Sequence, residues 1–278
     1  MAYVPPIYEI LHDFARKHPN VKVFQNDKNR GVNYTLNRGA ELATGDYLLL
    51  SAADDEVVPG MFEKSLRLLA QYPKAALSCT VCLWRYEHSN LSWHMGVGMS
   101  PTPAYLSPED LIRIGKSGKL LISSSSVIIR KDAFKWVGGL HNDLRWHADW
   151  FLSNAAAFRD GLCFVPEMLS VVNILPNSHY TAGREKPEHL HVLQRIVEML
   201  NTPHFGEVRD RIKDSAALSL FGMPMMRVLR SKPEFKPYLT PAFRYRTWWR
   251  YAEVTGSRIL PKWVAKLVLN TFYRLRKS

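Results

Sequence analysis

Cysteine is nearly absent from this sequence: its 278 residues include three. Cys79, Cys82 and Cys163 are scattered, and no second pair accompanies Cys79-x-x-Cys82 to complete a zinc site. Alternation along a strand puts Cys79 and Cys82 on opposite faces. All three therefore read as buried thiols in a reducing compartment. No run reaches the ~18 apolar residues of a membrane-spanning helix, and no secretory leader pattern opens the chain. The expectation is a cytoplasmic protein that at most lies peripherally on the inner face of a membrane. Acidic residues are scarce at one end. From Met226 to Ser278 there are two, Glu234 and Glu253, against thirteen basic residues, which places +11 of the chain's net +12 in that tail. The first 225 residues are close to neutral, which argues against a nucleic-acid groove on the main body.

What is present begins with a hydrophobic content of 46 %, enough for a sizeable core. There is no internal repeat and no low-complexity tract. Ile7 to Lys17 carries a helical apolar stripe, Ile7, Ile10, Leu11, Phe14 and Ala15. Val21 to Phe24 reads as a short strand. A turn, Asn29-Arg30-Gly31, leads into a helix from about Val32 to Ala43, with Asn37 and Gly39 inside it and Gly45 just past its end. The strand Tyr47 to Leu50 then delivers Ala52-Ala53-Asp54-Asp55 at its carboxyl end, where ligands bind in open α/β sheets. Pro59 to Tyr72 reads as a helix with Pro at its start and with Met61, Phe62, Leu66, Leu69 and Ala70 buried. Ala75 to Trp84 is a strand, followed by a hairpin or loop to Pro103. Ser107-Pro108-Glu109-Asp110 is a helix start. Ser123 to Ile129 reads as a buried strand, Asp149 to Arg159 as a helix and Leu169 to Ile174 as a last strand. Helices follow over His189 to Leu200 and Val208 to Phe221. Pro224, Pro233, Pro237 and Pro241 then break the chain, and a final helix spans Pro261 to Arg276.

The order and spacing of four submotifs, Asn29-Arg30-Gly31, Asn37-Arg38-Gly39, Ala43-Thr44-Gly45-Asp46-Tyr47 and Ala52-Ala53-Asp54-Asp55, resemble the family 2 glycosyltransferases. A second segment, Gly138-Gly139-Leu140 followed by Asp143-Leu144-Arg145-Trp146-His147-Ala148-Asp149-Trp150, is similar to that family's G-G-F…L…E-D-W acceptor segment. The resemblance covers roughly residues 7 to 180 and implies an α/β fold of the GT-A (nucleotide-diphospho-sugar transferase-like) type. Such a fold has a mostly parallel sheet flanked by helices; here it is expected to be truncated at the amino end, without the first nucleotide-binding strands, and to carry a helical carboxy-terminal extension. The domains expected are 1–183, partial GT-A, and 184–278, helical and basic.

The resemblance further implies metal-assisted, inverting glycosyl transfer from a nucleotide-sugar donor to a glycan or lipid-linked acceptor. Asp54 and Asp55 would hold Mg²⁺ or Mn²⁺, Asn29, Gly31, Asn37 and Asp54 would line the donor site, and Asp149 would be the acceptor base. Two adjacent carboxylates suit a divalent metal that carries phosphates, and a carboxylate in reach of a hydroxyl suits a general base. Each residue also has a plainer reading. Asp54-Asp55 could cap the following helix, Asp149 could merely complement a helix dipole, and Asn37 could bond backbone near the metal strand. Gly31 and Gly39 could serve a tight turn and a close helix–sheet approach. The activity has an alternative of another class, a non-catalytic glycosyltransferase-like remnant acting as a partner or membrane-surface module. The basic tail, with Tyr245-Arg246-Thr247-Trp248-Trp249-Arg250-Tyr251, suits an anionic lipid surface or a solvated cover on the main body; no motif for nucleic acid is present.

Overall fold

A computed structural model describes residues 7–86, 92–174 and 187–259, with side chains described as far as residue 252. The expected domain boundary between 183 and 184 and the expected helix Pro261–Arg276 lie outside the described residues. The chain runs through α1 (Ile7–Lys17) and α2 (Val32–Leu42) to β1 (Tyr47–Leu49) and β2 (Glu56–Val57), then through α3 (Met61–Gln71) to β3 (Leu77–Tyr86). Strands β4 (Ser92–Met95) and β5 (Ala104–Leu106) precede α4 (Pro108–Ser117). Then come β6 (Val127–Arg130), α5 (Lys131–Val137), α6 (Ala148–Asp160) and β7 (Leu162–Ile174). The helical region holds α7 (His189–Leu200), α8 (Gly206–Ser215), α9 (Gly222–Ser231) and α10 (Pro241–Ile259).

The two long strands, β3 and β7, pair in parallel from Leu77↔Leu162 to Tyr86↔Ile174 and form the spine of the sheet. The sheet order is β1-β6-β3-β7-β2, with β4 on β3 and β5 on β7. The α/β class is as expected, but the sheet is not mostly parallel: among the described strands β3–β7 is the one parallel pairing, and the others are antiparallel. One pairing follows from its connection: the short link from β3 to β4 returns the chain antiparallel beside β3, whereas a parallel neighbour needs a crossover of about a dozen residues or more.

Buried apolar residues form a large cluster between the sheet and the helical region, and a smaller one beneath α3 around Met61, Leu69 and Val165. Phe151 and Phe158 of α6 and Phe164 of β7 are wholly buried, each worth roughly 1.5–3 kcal/mol. The large cluster continues through Leu193 and Ile196 of α7, Ile212 of α8, Leu229 of α9 and Phe243 of α10. The thiols of Cys79, Cys82 and Cys163 are free and buried, and burial pushes the Cys163 thiol up to about 12.

Several local readings change. Residues 21–24 form no strand. In α3 the buried residues are Met61, Ser65, Leu68 and Leu69, while Phe62 and Leu66 face solvent, so the helix is rotated from the expected phase. It is capped by Gly60 rather than started by Pro59. The Val208–Phe221 helix breaks at Ala216, whose φ is 60°; the Ser215 hydroxyl accepts from the Ala217 N–H at 3.2 Å and so takes the place of a helical bond. Helix α1 forms where expected, yet none of its residues is buried, and β1 is the end strand on its side of the sheet.

Helix α4 starts as its sequence demands. The Ser107 hydroxyl accepts from the Asp110 N–H at 3.1 Å, and the Asp110 carboxylate accepts from the Ser107 N–H at 3.0 Å, a reciprocal capping box. Ser107→Ala is expected to lower unfolding free energy by about 1 kcal/mol, read as a shifted urea midpoint with an unchanged m-value.

Candidate active site

The site begins at the turn before α2. The Gly31 N–H donates to the Asn29 side-chain oxygen at 3.0 Å, and Gly31 adopts φ 83° as the N-cap of α2, a conformation that favours glycine. Asn29 and Gly31 line an open depression of about 390 Å³ together with Asn26, Arg30, Thr35 and Leu36. A neighbouring depression of about 650 Å³ is lined by Gln25, Asn26, Asp27, Tyr34 and Arg38. Arg38 organises this edge by donating to the Gln25 carbonyl at 2.8 Å and to the Asn26 side chain at 2.7 Å.

Asn37 does not reach the Asp54 strand. Its amide nitrogen donates to the Leu140 carbonyl at 2.9 Å, and its oxygen accepts from the Leu140 N–H at 2.8 Å. Both ends of one side chain are thus closed on one residue of the Gly138-Gly139-Leu140 segment. Gly139 makes the approach feasible: at φ 73°, a Cβ there would stand 2.6 Å from the Asn37 oxygen. Gly39, by contrast, meets nothing within 4 Å, so no close approach requires it. One turn earlier on the same face of α2, Asn33 donates to the Arg145 carbonyl at 2.9 Å and the His141 carbonyl at 3.3 Å. Asn33 was missed in the sequence; its signal was the i, i+4 spacing to Asn37.

Asp54 and Asp55 follow β1 on a turn closed by the Asp55 N–H to the Ala52 carbonyl at 3.3 Å. They do not cap α3, whose N-cap is Gly60. The Asp55 carboxylate accepts from the Ser125 hydroxyl at 2.5 Å. Burial pushes its pKa up, the Ser125 hydrogen bond opposes that, and the neighbouring Asp54 charge reinforces it. Asp54 is exposed, and its carbonyl accepts from the Asn173 side chain at 2.5 Å. Asn173 pairs across the sheet with Arg85, and Arg85 donates to Glu56 at 2.9 Å. The ends of β3 and β7 thereby pin the acidic loop. Ser125, Arg85 and Asn173 are residues that sequence reasoning missed. The Ser123–Ser126 run was read as strand. It forms a 3₁₀ turn instead, with the Ser126 hydroxyl donating to the Ser123 carbonyl at 2.7 Å; local serine bonding of this kind competes with strand.

Asp149 lies in the first turn of α6, where its carboxylate accepts from the Trp150 N–H at 2.7 Å. Helix α6 packs against Ser124–Ser126, the turn that also holds Asp55. The approach to α6 is strained. Arg145 has φ 46° and ψ −118°, a region close to glycine's alone and costly by about 1–3 kcal/mol. The Asn33 bond to its carbonyl and the burial of Leu144, Trp146 and His147 on either side hold it there. Among the described residues no group of three His, Cys, Asp or Glu side chains could cage a metal. The exposed Asp54 and the half-buried Asp55 fit a cation of the Mg²⁺ or Mn²⁺ type, which takes one or two carboxylates and fills its shell with water and phosphate; they do not fit a structural zinc.

Two outcomes follow from this geometry. Asn37→Ala leaves the Leu140 N–H and carbonyl without their partners and should cost about 1–3 kcal/mol of unfolding free energy. Arg145→Gly relieves the strained φ and should raise stability by about 1 kcal/mol, measured by equilibrium unfolding in guanidinium.

Comparison with known proteins follows the same residues. The family described as glycosyl transferase family 2 matches residues 5–138, a span that holds α2, the Asp54–Asp55 loop and the Ser125 turn but stops short of Asp149. The chain is 28 % identical over 160 residues to an uncharacterized glycosyltransferase, YibD, of Escherichia coli K12, covering 54 % of this chain and 45 % of that protein. It is 27 % identical over 130 residues to an uncharacterized glycosyltransferase of Haemophilus influenzae, covering 47 % and 42 %. The matched stretch thus spans less than half the length of either relative. Over residues 5–138, just under half of its length, the chain is similar to glycosyl transferase family 2.

Proposed function

We propose that this chain transfers a sugar, with inversion, from a nucleotide-sugar donor to a hydroxyl of a glycan or lipid-linked acceptor. The observation that carries the reading is the Asp54–Asp55 pair. It sits on a loop pinned by Ser125 and Asn173, caps no helix and leaves the Asp54 carboxylate facing solvent. In this reading Asp54 and Asp55 hold Mg²⁺ or Mn²⁺, which when bound stabilises the negative charge of the departing diphosphate. The depression behind Asn29 and Gly31 receives part of the donor. Asp149 takes the proton of the acceptor hydroxyl as its oxygen bonds to the anomeric carbon, and the bond from that carbon to the diphosphate breaks with its electron pair leaving on oxygen. The clamps from Asn33 and Asn37 hold the Asp149 segment against α2, and such positioning is worth as much as any single charge.

The test is turnover of nucleotide-sugars by the full chain with Mn²⁺. Asp54→Ala and Asp149→Asn should each lower turnover by about 10²-fold or more while the unfolding midpoint stays close to that of the parent. Unchanged rates in both variants exclude the assignment. Absence of any Mn²⁺-dependent affinity for nucleoside diphosphates in a calorimetric titration would instead favour a non-catalytic module of the same fold.

A further inference from the structure

Helix α10 has two apolar faces, and only one of them is used. Phe243 and Thr247, four residues apart, are buried against the helical region, and Arg246 lies over Gly118 at the end of α4. On the opposite side Tyr245, Trp248 and Tyr251 are 61 %, 70 % and 54 % exposed, with exposed Arg244 and Ala252 between them. At 3.6 residues per turn these five positions share one arc of roughly 120°. A helix that only covers a soluble body presents charged residues outward; this one presents two phenols and an indole.

The charged residues flanking that arc in sequence are mostly basic. Between Met226 and Ala252 the single acid is Glu234, against seven basic residues, Arg227, Arg230, Lys232, Lys236, Arg244, Arg246 and Arg250. Arg227 and Arg230 are exposed on α9, which packs against α10.

 

We propose that the outer face of α10 docks on an anionic lipid bilayer, with Tyr245, Trp248 and Tyr251 at the level of the headgroups. Tyrosine and tryptophan pair an apolar ring with a polar tip and favour that depth, and arginine beside them meets the negative surface charge. The surface is independent of the Asp54–Asp55 site and would orient the protein whatever its acceptor. Stacked aromatics among cations also suit single-stranded nucleic acid, which the experiment separates.

The full chain is sedimented with vesicles of phosphatidylcholine alone, with vesicles that also contain phosphatidylglycerol, and separately titrated with poly(U). The expected result is pelleting with the anionic vesicles, weakened by salt, and a roughly tenfold loss of binding in a Tyr245→Ser, Trp248→Ser, Tyr251→Ser variant. A second measurement covers a variant that fails to fold. The native cysteines are buried, so Ala252→Cys takes an environment-sensitive dye selectively, and its emission should shift to the blue on adding anionic vesicles. Equal pelleting of parent and triple variant, an unshifted dye, or binding to poly(U) without binding to vesicles would each overturn the proposal.

Discussion

The arrangement depends on one side-chain amide closing on one backbone residue. Asn37 and Leu140 are far apart in sequence, yet their two hydrogen bonds fix the orientation of α2 against the segment leading to Asp149. An amide whose oxygen faces an N–H and whose nitrogen faces a carbonyl tolerates no rotation, because a flip would oppose like groups. One turn away, the Asn33 amide nitrogen donates to the His141 and Arg145 carbonyls of the same segment. Helix α2 therefore acts as a ruler: one end shapes the Gly31 turn and its depression, and one face sets where the acid-bearing helix α6 begins.

Much of this was legible. The cap of α4, the bounds of α1 and α7 and the turn at Gly31 all rest on local chemistry, and the structure has them. The Asp54–Asp55 pair was legible as a pair at a strand end. What escaped notice was long-range. Nothing near Ser125 shows that its hydroxyl will meet Asp55, and nothing near Asn173 shows that it will hold the Asp54 carbonyl. The phase of α3 was misjudged because Phe62 and Leu66 are apolar yet exposed; periodicity ranks faces by hydrophobicity, while packing against β3 and β7 decides which is used. The parallel content of the sheet was overestimated for a related reason: β1 pairs with β6 and β2 with β7, partners far away in sequence whose direction no local signal sets.

Charge is divided along the chain as function would divide it. The acidic loop is supported by neutral donors, Ser125 and Asn173, with Arg85 turned to Glu56, so Asp54 and Asp55 are oriented without being neutralised. The net positive charge is concentrated in the last fifth of the sequence, which includes the exposed aromatics of α10.

Helix α1 carries a different consequence. Its stripe of Ile7, Ile10, Leu11 and Phe14 faces solvent, and β1 ends the sheet on its side. Contiguous apolar surface and an open strand edge are both sticky. In dilute solution the isolated chain would be expected to behave as an attractive colloid, with a negative second virial coefficient that mild detergent raises more effectively than salt.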